Sequence, residues 1–244
     1  MAREQIPATA RLYIDAVIAA GATVWVYAAL HHSFRHGALF LACLVVGVFA
    51  ATLKVRLPGI DGTFSLGFVG SLVAIQELDF SEAVLVGTLV GVTQCFWKPA
   101  RRPLAIQVVF NAANLANATA IAYAAYRGAL LNDPSNDCAL LLLSAATLFY
   151  VVNTGTVSGV LCLLERKSLA NIIEQWCLSS FSYYLAGALL AMFLQSVAGL
   201  PLVPLALIPL LFIAHVVHGR FMRCQEESNP HVLTGHRQCH FYGR

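Results

Sequence analysis

The sequence predicts an all-α polytopic membrane helix bundle of about eight transmembrane helices with both termini cytoplasmic, and three observations predict it. The chain has 244 residues, 59% of them hydrophobic and only 11% charged, where a soluble domain carries about 25% charged residues. The charges are clustered, so the apolar runs between them approach the roughly 20 residues that a bilayer crossing requires. With both termini inside, thirteen of the fifteen Lys and Arg residues fall on inner segments, and only Arg35 and Arg127 fall on outer loops. That asymmetry satisfies the positive-inside rule, and an odd helix count would scramble it. Residues 1–222 are expected to form the bundle and residues 223–244 a short, disordered cytoplasmic tail.

The first apolar run, residues 12–30, follows Arg3 and Arg11 and contains Val26-Tyr27-Ala28, a passable signal-cleavage site. Its length exceeds a usual signal core and Asp15 lies within it, so it is kept as a helix. The second helix covers residues 38–53, and Lys54, Arg56 and Pro58-Gly59 break the chain after it. The third, 63–78, is short and glycine-rich, with Asp61 placed to cap it. The fourth, 81–97, has Glu82 near the positive end of its dipole and ends at Trp97, an interfacial anchor. Helices three and four sit near the lower length limit. Their alternative is a re-entrant hairpin, which protein would have to shield from lipid. The fifth helix is opened by Pro103 and covers residues 103–126. The sixth covers 138–164. A polar stretch with Trp176 suits a surface helix, and helices seven and eight cover 178–197 and 201–220.

The fifth helix carries the most informative pattern. Gln107, Asn111, Asn114 and Asn117 recur at spacings of four, three and three. At 100° per residue the first three fall within about 60°, and Asn117 widens the stripe to about 120°. Amides cannot face hydrocarbon cheaply, so the stripe points into the bundle or a hydrated cavity. The sixth helix offers Asn153, Thr154, Thr156 and Ser158 as a matching polar surface. The candidate ligand-binding residues are therefore Gln107, Asn111, Asn114, Asn117, Asn153 and Thr154. Against this stands plain interhelical hydrogen bonding, where such groups contribute about 0.6 kcal/mol each. The pairs Gly87/Gly91 and Gly155/Gly159 permit close helix approach.

Other chemistry finds little support. The sequence has no HExxH, GxSxG, P-loop or Rossmann glycine pattern, so no catalytic residue is assigned. The seven cysteines show no paired spacing and predict no disulfide framework. The tail residues His231, His236, Cys239 and His240 match no zinc pattern, so neither a metal nor another cofactor is expected. Asp15 lies one turn from a helix end, where a carboxylate can snorkel to headgroup water. Glu77, Asp79 and Glu82 read as a solvated outer loop. Net charge is only +3, without a basic face, so nucleic acid is not an expected partner.

The loop Leu53-Lys54-Val55-Arg56-Leu57-Pro58-Gly59, the following Gly62-Thr63-Phe64-Ser65-Leu66-Gly67-Phe68, the loop Trp97-Lys98-Pro99-Ala100-Arg101-Arg102-Pro103 and the stretch Val109-Phe110-Asn111-Ala112 carry a resemblance. Together they resemble the multi-helix N-terminal membrane segments of bacterial signalling proteins that continue into HD-GYP or GGDEF domains. The resemblance implies a membrane sensor segment whose last helix feeds a cyclic-di-GMP phosphodiesterase or cyclase. Residues 228–244 carry no HD or GGDEF motif, so the enzymatic activity is not carried over. The Leu-Pro-Gly element is also similar to the vitamin-binding subunits of energy-coupling-factor transporters, which usually have six spans.

These readings converge on a multi-pass protein of the inner (plasma) membrane. Its first functional expectation is a sensor or ligand-binding module of a bacterial signalling system without its own catalytic domain. Its partners would be the lipid bilayer, a small-molecule ligand, and a cytoplasmic signalling protein or a second copy of the chain. A substrate-binding or transport subunit is the second expectation and a structural anchor the third.

Overall fold

A computed structural model describes residues 6–32, 37–55, 64–97, 102–132, 137–165, 181 and 184–193. All of these belong to one compact unit, Met1–Pro204; a second unit, Leu205–Arg244, contains none of them. The eighth expected helix, the tail and the surface helix at Trp176 lie outside the described residues. Within them run α1 (Ala8–Leu30), α2 (Gly37–Thr52), α3 (Gly67–Glu77), α4 (Phe80–Phe96), α5 (Ala105–Asn132), α6 (Cys138–Glu165) and α7 (Tyr184–Phe193).

Three of these helices are long and apolar enough to cross a membrane. They are α1 (23 residues), α5 (28 residues) and the stretch Cys138–Leu164 of α6 (27 residues). At 1.5 Å per residue each is more than about 30 Å long. Their outer faces are apolar, with Val26, Tyr27, Leu140 and Val151 all more than half exposed. An all-helical arrangement with greasy outer faces is that of a membrane protein, because helices satisfy their backbone groups internally.

The short helices obey a different rule. α3 has eleven residues, about 16 Å of helix, yet nine of those eleven are buried. It packs against α2, α4, α5 and α6, which surround it with protein. Its start is four residues later than the sequence pattern suggested, because Phe64–Ser65 forms a short antiparallel pair with Lys54–Val55. Leu66, not Asp61, stands at its N-cap. The helix can begin there because Ser65 Oγ accepts from Gly67 N at 3.1 Å and donates to Ala51 O at 2.9 Å.

Close approach depends on glycine. A β-carbon on Gly70 would run into the backbone of Gly47, so α2 and α3 touch backbone to backbone. On α4, Gly87 faces Thr119 and Leu115 of α5, and Gly91 faces Asn111 and Ala112. That order makes α4 and α5 antiparallel. On α6, Gly159 meets the ring of Tyr13, while no described residue stands within 4 Å of a β-carbon at Gly155. Among the described residues the Gly155/Gly159 pair therefore serves a single contact, and that contact is with α1.

Two further expectations change at the α3–α4 corner. Glu82 is fully buried rather than solvated. It forms a reciprocal capping box with Asp79, in which Asp79 N donates to Glu82 Oε2 at 3.3 Å. Arg127 belongs to α5, which continues six residues past Tyr126 to Asn132. Its Nη2 donates to the carbonyl oxygens of Gln76 and Leu78. Those are among the carbonyls that a helix C-terminus leaves without partners, and a cation is favoured there.

Candidate ligand-binding site

α5 lies in the middle of the packing, against α1, α3, α4 and α6. The amide stripe on it therefore meets three different neighbours. Asn111 Nδ2 donates to Gly91 O on α4 at 2.7 Å, a bond that the missing side chain of Gly91 makes possible. Asn114 is fully buried, and its Nδ2 donates to Asn153 Oδ1 on α6 at 2.6 Å. Asn117 Nδ2 donates to Val17 O on α1 at 3.2 Å. Gln107 is exposed and turns back on its own helix start, where its Oε1 accepts from Leu104 N at 3.0 Å.

Asn153 extends the network. Its Nδ2 donates to Tyr184 Oη on α7 at 2.8 Å. The chain Asn114–Asn153–Tyr184 thus ties α5, α6 and α7 together. Tyr184 lies tilted against Phe68 of α3 with ring centroids 4.2 Å apart, and meets Tyr150 edge-on at 4.9 Å. The polar thread is clamped by aromatic rings.

Beside this thread lies a cavity of about 150 Å³. Its wall includes Gln94, Asn111, Asn153, Thr154 and Tyr184, with Phe68 and Phe149 supplying ring surface. It adjoins a second space of about 440 Å³, and Ser65, Gln94, Asn111 and Val157 line both. The outer space reaches Ile6, Leu104 and Leu164, and Gln107 lines it. Those residues mark the helix ends near Arg11 and Arg102, so the cavity widens toward the basic end of the bundle.

No family model, curated protein or solved structure matches this chain. The site is therefore judged on its own chemistry.

Of the six candidate residues, Asn111, Asn153 and Thr154 share the inner wall and Gln107 sits in the outer space. Asn114 stands behind the wall and holds Asn153, while Asn117 turns away to α1. The sequence reading missed Gln94, Ser65 and Tyr184. Gln94 had a signal, because Gly87, Gly91 and Gln94 repeat the four-and-three spacing of the stripe on α5. Its side chain hydrogen-bonds to no described residue. Among the described residues no group of three His, Cys, Asp or Glu side chains could hold a metal. The rings of His31 and His32 instead bond through Nδ1 to carbonyl oxygens of their own helix end.

Proposed function

We propose that the chain is the ligand-binding membrane module of a bacterial sensor, with eight spans, both termini cytoplasmic and a binding interior bounded by α4, α5 and α6. The observation that carries this is the cavity wall made of Gln94, Asn111, Asn153 and Thr154. A pure anchor would pair such amides among themselves. Here Gln94 is half-buried on the cavity wall and hydrogen-bonds to no described residue, which leaves its amide to a ligand. Signalling would follow from differential affinity for two helix packings. The Asn114–Asn153–Tyr184 thread is the natural relay, because a ligand touching Asn153 touches three helices. On this reading the protein would work in the inner membrane with a cytoplasmic signalling partner, as its resemblance to membrane segments of HD-GYP and GGDEF proteins implies.

Transport is favoured less. Leu72, Ile75, Leu115 and Phe149 are all at most 2% exposed, and Leu115 and Phe149 close part of the inner cavity's wall. Passage through that wall would have to unpack buried side chains.

Purified protein incubated with a bacterial small-molecule extract and analysed by native mass spectrometry tests the proposal. Wild type should retain a compound that the Thr154→Val variant loses. Retention of nothing, together with a Cys95 inert to maleimide in membranes, would sink it, since Cys95 lines the outer space.

A further inference from the structure

Resting on that reading, we propose that the inner cavity takes a neutral, planar, six-membered ring carrying an amide or lactam group. Three features of the wall select this class. The first is charge. Among the described residues lining the inner and outer spaces there is no Asp, Glu, Lys, Arg or His. A charged ligand would surrender its hydration inside a membrane bundle and meet no counter-ion among these residues, which is strongly unfavourable.

The second feature is unspent hydrogen-bonding capacity. Asn111 uses Nδ2 on Gly91 O, which leaves Oδ1 as an acceptor toward the cavity. Gln94, with no hydrogen-bond partner among the described residues, offers a carbonyl oxygen and an amino group on the same wall. A side-chain amide is matched by a second amide, which donates to its oxygen and accepts from its nitrogen at once. An apolar guest would leave both ends of Gln94 unmet, and sites of this kind reject such analogues strongly.

The third feature is shape. Phe68, Phe149 and Tyr184 line the space, and Tyr184 is held by Asn153 at 2.8 Å and by a tilted ring contact with Phe68. Ring walls favour flat guests through offset or edge contacts. The volume of about 150 Å³ is that of a cavity able to hold one benzene-sized ring. Larger guests such as nucleosides would project into the outer space.

The full chain in detergent can be tested by thermal unfolding with four probes of one size: nicotinamide, uracil, nicotinate and toluene. Nicotinamide or uracil should raise the midpoint saturably, whereas nicotinate and toluene should leave it unmoved. Gln94→Leu should weaken binding of the responding probe about tenfold or more, the loss of a buried hydrogen-bonded pair. Thr154→Val provides a second variant should Gln94→Leu fail to fold. A shift with nicotinate or toluene equal to that with nicotinamide overturns the ligand class and leaves the binding site standing. Absence of any shift also overturns the class. Labelling of a Thr154→Cys variant by N-ethylmaleimide, located by peptide mass spectrometry, then decides whether the parent proposal falls too. A labelled Cys keeps an open cavity, and an unlabelled one removes it.

Discussion

The long helices and the short ones solve the bilayer in opposite ways. α1 buries only Ala10, Ile14, Gly21 and Ala28 of its 23 residues, whereas α3 buries nine of eleven. A helix with most of its side chains turned outward must be long and apolar, because lipid supplies its surroundings. A helix enclosed by other helices can be half that length and carry Ser71 and Gln76 inside, because protein supplies its surroundings. α5 belongs to both groups. It is long enough to span, and it also buries Ala112 to Ala116 in an unbroken run. The candidate site forms where that buried run meets the short helices, so polar groups there are sheltered without being packed solid.

The sharpest way to break this comparison is to enlarge a glycine on each side of it. Gly70→Leu forces a side chain into the backbone of Gly47, and neither backbone can move without separating α2 from α3. The expected cost is about 3 kcal/mol or more, at or above the upper end for overpacked cores, seen as loss of the monodisperse peak in detergent. Gly155→Leu places the same side chain where no described residue lies within 4 Å. It should leave the peak intact. Equal damage from both would mean that the short helices are no more tightly enclosed than α6.

A smaller effect is expected from Arg127→Met. The guanidinium donates to two carbonyl oxygens at the end of α3, and methionine keeps the length but not the donors. Bonds from a charged group contribute about 1.5–3 kcal/mol each at most, and water near the helix end recovers part of this. A loss of about 2 kcal/mol in a denaturant titration with α-helical circular dichroism retained would fit a capping role. No loss would mean that the end of α3 is capped by solvent.

How legible this was in the sequence depends on how local the cause is. Helix positions followed from apolar runs, and α2, α4 and α6 begin and end within one residue of expectation. The amide stripe was legible for the same reason, since helical period and the cost of amides in lipid are both local facts. α3 was misjudged because its start is set by pairing with Lys54–Val55, a contact across a loop that no periodicity reports. Arg127 was assigned to a loop because its reward, the exposed carbonyls of α3, lies 49 and 51 positions away. Within the site, Asn153 was found through its own polarity, whereas Tyr184 was not. An aromatic residue in an apolar helix becomes notable only when its hydroxyl meets an amide from another helix.

The smallest effect carries the most information about what surrounds the long helices. Val90 on α4 is fully buried, and Val151 on α6 is 56% exposed. Val90→Ala should cost about 2 kcal/mol, since the lost methyl groups leave a cavity that packed neighbours cannot close. Val151→Ala should stay within about 0.5 kcal/mol, because lipid tails are as apolar as valine and flow into the space. Thermal midpoints of the two variants in lipid nanodiscs check this directly. A cost at Val151 as large as that at Val90 would mean that protein, not lipid, covers this face of α6. The simplest such cover is another part of the chain or a second copy of it, and either would extend to α6 the enclosure that now distinguishes α3.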